Sequence, residues 1–265
     1  MKKAIFLTLL LVTGMAVAAP KTEQSGEKQK ILLTEDNTIT MRGPIFDDLV
    51  RKTELKLVEL DLKRVSKNYP LYLVLDSPGG SIDAGLEFIE FARTIKNLHT
   101  ITLFAASMAS GIQQALPGQR YITESGIEMF HRAQGGFEGY FEDGEVESRL
   151  AMAKAIVRIL ESTNAKRIGI SLADYKAKVV GEWWSVGADA VTAGHADEVI
   201  SLQCDKQLLQ ESEIVVVQTM FFSVRLQYSK CPMIRSGQAT KAEDLQSMLN
   251  NAPKLDKLTR RFLRI

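Results

Sequence analysis

Hydrophobic positions along this chain recur with two different periods, and the alternation of the two predicts the architecture. Thr38 to Met41 reads as a short strand closed by Gly43-Pro44. Asp47 to Ser66 reads as a helix with acidic residues in its first turn, where the peptide dipoles favour them. Leu71 to Leu75 has hardly any polar break, as expected of a strand covered on both faces. Ser77-Pro78-Gly79-Gly80 then turns the chain into a helix whose Ile82, Leu86, Ile89 and Ile95 keep to one face. Thr100 to Ala105 is the next strand, and Met108 to Leu116 the helix after it. A strand at Ile127 to Phe130, a long helix at Glu145 to Ala165 and a shorter one at Val186 to Ala193 complete the series. Strand and helix in alternation with short links predict parallel βαβ units and an α/β core.

Both flanks depart from this pattern. Lys2 and Lys3 precede an uncharged run, Ala4 to Val12, and small residues at Ala16-Val17-Ala18 follow. That order is an export signal cut near Ala18, too short to span a bilayer. Ala19 to Lys30 is a polar linker without apolar period. Beyond Leu202 the chain turns β-rich: Ile214 to Tyr228 reads as a long strand or hairpin, with core packing its default role. The basic tail, Lys254 to Ile265, reads as a solvated helix end. The expected organisation is a signal peptide (1–18), a linker (19–30), a core domain (31–201) and an extension (202–265).

Composition narrows the classes. With 265 residues, 45% hydrophobic and 25% charged, the chain is an ordinary globular protein. Lys+Arg (33) nearly cancels Asp+Glu (32), which leaves no field to steer nucleic acid. Removing Lys2 and Lys3 leaves 31 basic against 32 acidic residues. Cys204 and Cys231 have no zinc-site spacing, and the residue counts suggest neither metal nor cofactor. Export would expose both cysteines to an oxidising compartment, where a bridge would contribute about 3 kcal/mol on the chain-entropy view. Two buried, unpaired thiols are the other reading.

Three segments could carry chemistry. In Leu75-Asp76-Ser77-Pro78-Gly79-Gly80-Ser81, bare backbone at a helix N-terminus suits an anion or a developing oxyanion, although a plain βα turn has the same composition. In Phe104-Ala105-Ala106-Ser107-Met108-Ala109, Ser107 stands between a buried strand and a helix, placed either as a nucleophile or as an N-cap. The N–H of Met108 and that of Gly79 or Gly80 would come from the ends of neighbouring strands, as two donors to a tetrahedral intermediate do. In Met129-Phe130-His131, the histidine ends a strand of the same sheet and can act on Ser107 as general base. His99 and His195 lie in turn-like contexts, read as surface positions, and are assigned no role.

Ser-Pro-Gly-Gly, then Ala-Ser-Met-Ala, then Met-Phe-His followed by Gly135-Gly136 resembles the caseinolytic protease proteolytic subunit family, ClpP. The likeness runs from about Thr38 to Ile200 and includes Gly194-His195-Ala196-Asp197-Glu198-Val199-Ile200. It implies a ClpP/crotonase-like α/β spiral, here with a β-rich C-terminal extension, and serine endopeptidase chemistry. It further implies Ser107 as nucleophile, His131 as base, and Gly79 or Gly80 with Met108 as oxyanion donors. The family's third residue, an Asp, falls four before the Ser of a segment matched by Trp183-Trp184-Ser185. Gly181 stands there, and a one-residue gap brings Glu182 into the place; Glu182 reads equally well as a solvated charge. The resemblance also implies peptide or unfolded-protein substrates and a homo-oligomeric ring of seven-fold type.

The family works with a ring ATPase inside the cell, whereas an exported chain would work without one, and this sequence has no Gly-x-x-x-x-Gly-Lys-Ser/Thr loop of its own. Other readings stand beside this one. One is a Ser-Lys enzyme of the signal-peptide-peptidase type, with Lys154 as base. A crotonase-type acyl-CoA enzyme is a second, disfavoured because an exported chain meets little CoA. The third is a ClpP-fold binding or ring protein without activity.

Overall fold

The computed structural model describes residues 28–135, 142, 144–218 and 223–239. The expected export signal, most of the expected linker and the basic tail lie outside the described residues. Strands β1 (Lys30–Leu33), β2 (Thr38–Arg42), β3 (Leu71–Ser77), β4 (Leu98–Ala106), β5 (Arg120–Phe130), β6 (Trp183–Val186) and β7 (Glu198–Cys204) form one seven-stranded sheet. Its order is β1-β7-β5-β4-β3-β2, every one of these pairs is parallel, and β6 joins β5 antiparallel. The mixed α/β architecture with a mostly parallel sheet is the one expected.

Helices α1 (Asp47–Lys63), α2 (Ile82–Ala92) and α3 (Met108–Ala115) pack on one face of the sheet. Successive residues of a strand point to opposite faces, so Leu73 and Leu75 meet these helices while Val74 faces the other way. The second face is covered by the extension. Its α7 (Lys206–Gln210) supplies Leu208, and beyond the antiparallel hairpin β8 (Ser212–Gln218) and β9 (Ser223–Ser229) it supplies Cys231. Cys231 is bonded to Cys204 at the end of β7, with 5.8 Å between their Cα atoms. Asp76 fastens the same cover: Arg42 Nε and Arg235 Nε each donate to its Oδ2 at 3.1 Å.

Several expected boundaries are corrected. Lys30 belongs to β1, whose pairing with β7 takes the end of the linker into the sheet. β7 itself crosses the expected 201/202 boundary. Strand β5 begins at Arg120 rather than Ile127: its first half pairs with β7 and its second half with β6, on either side of Gly126. Trp183–Val186 is a strand, so the helix expected from Val186 starts only at Ala188, as α6 (Ala188–Thr192). Helix α5 (Leu172–Lys178) was hidden by its brevity and is capped by Ser171, whose Oγ accepts from Asp174 N at 3.0 Å. The long helix α4 (Glu145–Ile168) buries only Asn164, Ala165 and Ile168.

Candidate active site

The three chemistry-bearing segments meet where β3, β4 and β5 end. Parallel strands place their C-terminal ends on one edge, and the loops that follow share it. Ser107 joins β4 to α3 with φ 58° and ψ −120°, a left-handed conformation that costs a non-glycine residue on the order of 1–3 kcal/mol. Its N–H donates to Met129 O at 2.9 Å, and Gly111 N closes the first helical turn on Ser107 O at 3.1 Å. Ser107 has no side-chain capping bond, so the N-cap reading of its hydroxyl fails. The hydroxyl instead faces His131: Oγ and Nε2 are 2.7 Å apart. Beneath it Ser110, fully buried, reaches Ala105 O at 2.8 Å and Met129 O at 2.9 Å and pins β4 to β5.

The glycine turn lies against this serine. A Cβ on Gly79 would stand 2.5 Å from Ala106 O, 2.7 Å from Ser107 Cβ and 2.8 Å from Met108 N, and φ there is +89°. Only glycine lets the turn close so tightly. The structure separates two positions that the sequence treats alike. Gly79 N donates to Ser77 Oγ at 3.1 Å, whereas Gly80 N and Met108 N have no hydrogen-bond partner among the described residues.

Two expectations are corrected. Glu182 is exposed and accepts from Trp184 Nε1 at 2.8 Å, not from His131. Continued past Phe130↔Trp183, the β5–β6 register would set Glu182 opposite His131, but the pairing ends at Trp183 and Glu182, just outside β6, turns its carboxylate to Trp184. Among the described residues, the His131 side chain hydrogen-bonds Ser107 alone. His195 is no surface residue but is fully buried, with Nδ1 2.7 Å from Ser185 Oγ. Burial pushes its pKa down to about 4, with help from the Arg120 and Lys178 charges. His99 is half-buried, and burial lowers its pKa. Lys154 is exposed on α4, with no hydrogen bond to Ser107 among the described residues.

A cavity opens beside the Ser107–His131 pair. Ile82, Met108, Val157 and Leu160 supply apolar wall, while Asn164 and Tyr175 add polar atoms. These last two escaped the sequence reading. The available signal was the spacing Asn164, Ala165, Ile168, an inward face at the end of a helix that otherwise looks solvated. Among the described residues no three His, Cys, Asp or Glu side chains are grouped to hold a metal.

Comparison with known proteins agrees with this arrangement. The sequence model of the Clp protease family matches residues 21–203. The ATP-dependent Clp protease proteolytic subunit of Streptococcus gordonii is 27% identical over 176 residues, which cover 64% of this chain and 87% of that protein. The subunit of the same name from Streptococcus pneumoniae is 26% identical over 172 residues, with the same shares covered.

Proposed function

We infer the function of this chain from two premises: it belongs to the Clp protease family, and its cleft holds a serine and a histidine in hydrogen-bond contact. Both support a serine-type endopeptidase acting on peptides or unfolded proteins. The observation that carries this reading is the 2.7 Å Ser107–His131 contact on a strained strand-to-helix turn. In the proposed reaction His131 carries its proton on Nδ1, and Nε2 takes the proton of Ser107 as Oγ attacks the scissile carbonyl. Charge then develops on the carbonyl oxygen. The N–H groups of Met108 and Gly80 are the donors proposed to receive it, because the Gly79 N–H is engaged with Ser77. His131 returns the proton to the leaving amine, and water, activated in the same way, releases the acyl group. Among the described residues the contacts that orient His131 are its hydrogen bond with Ser107 and its place at the end of β5.

The chain is further proposed to be exported and to act without ATP, as a homo-oligomeric ring. The N-terminal signal and the Cys204–Cys231 bridge, a bond of oxidising compartments, support export. Outside the cytoplasm there is no ATP pool, so substrates would reach the site by diffusion. Purified mature protein is expected to cleave short peptides and unfolded casein without nucleotide while folded proteins survive. Strict dependence on ATP and an added ATPase would overturn this part.

A further inference from the structure

The cavity beside Ser107 is apolar along its walls but not at Asn164. Asn164 is only 6% exposed and Tyr175 2%. Asn164 Nδ2 donates to Tyr175 Oη at 2.9 Å, while Asn164 Oδ1 is buried with no hydrogen-bond partner among the described residues. The hydroxyl of Tyr175 accepts that bond and so keeps its own O–H to donate. Burial holds the Tyr175 pKa up at about 12, so the O–H remains a donor at any working pH. One acceptor and one donor therefore sit together in an apolar-walled cavity that shares its lining with Ser107 and His131.

We propose that this cavity receives the side chain on the acyl side of the scissile bond, and that Asn164 and Tyr175 select a neutral amide there, glutamine above all. The proposal rests on the serine-peptidase reading and names the substrate class of its site. A glutamine side chain has an apolar stem for Ile82, Met108, Val157 and Leu160. Its NH₂ supplies the donor that Asn164 Oδ1 lacks, and its C=O accepts from the Tyr175 O–H. An apolar side chain of similar length fits the walls but leaves Oδ1 buried and unpaired, and sites built around such groups discriminate strongly against ligands that cannot pair them. A lysine is excluded on different grounds. Among the described residues the carboxylate lining the cavity is Glu161, which is already joined to Lys176 at 3.3 Å, so a lysine side chain would enter beside a second ammonium. If Asn164 is turned by half a revolution about its amide, donor and acceptor exchange places and the complementarity with an amide is unchanged.

The test uses the full mature chain with two readouts. The first is kcat/KM on fluorogenic peptides that differ only at this position: Gln, Met, Leu and Lys. Glutamine is expected to exceed methionine by about tenfold or more, the scale of one hydrogen bond to a buried group. Asn164→Leu should reverse that order, and Tyr175→Phe should shrink the preference. The second is calorimetric binding of N-acetyl tripeptides ending in Gln or Met to Ser107→Ala protein, which needs no chemistry. Tighter binding of the Gln peptide, lost in Ser107→Ala/Asn164→Leu, supports the proposal even if turnover is absent, in which case only the peptidase reading fails. Equal or better use and binding of Met or Leu, a preference for Lys, or an Asn164→Leu profile identical to wild type would overturn it.

Discussion

Two Ser–His pairs lie in this molecule with the same hydrogen-bond length, and they have opposite surroundings. Ser107 and His131 are 2.7 Å apart, as are Ser185 and His195. The first pair lines an open cavity, its serine sits in a strained backbone conformation, and two N–H groups without a partner among the described residues lie on the adjoining turns. The second pair is sealed. His195 is fully buried, with ring centroids 4.1 Å from Trp183 and 4.7 Å from Phe130, and Ser185 occupies an ordinary strand position opposite Glu128. A Ser–His hydrogen bond therefore does not make a site. What separates the two is access for a substrate and donors placed where negative charge would develop.

The largest effect that sharpens the comparison is on catalysis. Ser107→Ala and His131→Ala should each lower kcat/KM by about 10⁴-fold or more, and the double variant should lose little beyond either, since the two act as a unit. Ser185→Ala should leave peptidase activity within a few-fold. Comparable losses in the Ser107 and Ser185 variants would erase the distinction between the pairs.

Next comes the cover on the sheet's second face. Replacing both Cys204 and Cys231 by Ala should lower unfolding free energy by about 3 kcal/mol, as judged by denaturant titration. No change would show that Asp76 and the hairpin hold the extension without the bridge. The sealed pair has a stability cost of its own. Ser185→Ala strands His195 Nδ1 in the interior, and should destabilise by about 1–3 kcal/mol in the same titration.

Glu128, beside the sealed pair, gives a pH signature. It is fully buried, accepts from Gln114 Nε2 at 3.1 Å, and burial raises its pKa to about 8. Between its unfolded value of 4.5 and about 8, the folded chain keeps a proton that the unfolded chain has released. Stability from this group therefore falls as pH rises through that window. His195 acts in the opposite sense. Its folded pKa of about 4 lies below the ordinary 6.5, so the unfolded chain holds the extra proton and stability falls as pH drops through that range. The two slopes cancel where the windows overlap, and Glu128 alone acts above pH 6.5. Stability should decline by at most about 2 kcal/mol from there to pH 8. Glu128→Gln should flatten this decline; an unaltered slope would place its cause elsewhere. The smallest effect is expected of Glu182→Gln, which should leave kcat within about twofold, because its carboxylate is bound to Trp184.

The same comparison shows what a sequence makes legible. Ser107 and His131 could be found because each follows a strand of a parallel sheet, and such strands are read from short apolar runs bounded by small residues or glycine. The α/β class followed from the same runs. Ser185, His195 and Glu128 were opaque for a physical reason: their partnership depends on β6 pairing antiparallel with β5, and Trp-Trp-Ser-Val carries no alternation that marks it as a strand. The first half of β5 was missed because Thr123-Glu124-Ser125-Gly126 interrupts its apolar pattern where the strand changes partners. Asn164 and Tyr175 come from two helices, and no local pattern joins residues that meet only through packing of α4 on α5.

The central claim is that, of the two serines hydrogen-bonded to histidine, the one in the cleft is the nucleophile. Labelling of the mature protein with a fluorophosphonate, located by peptide mass spectrometry, tests it directly. A single adduct on Ser107, lost in His131→Ala and retained in Ser185→Ala, is the expected result. An adduct on Ser185, or labelling that persists in Ser107→Ala, would contradict it.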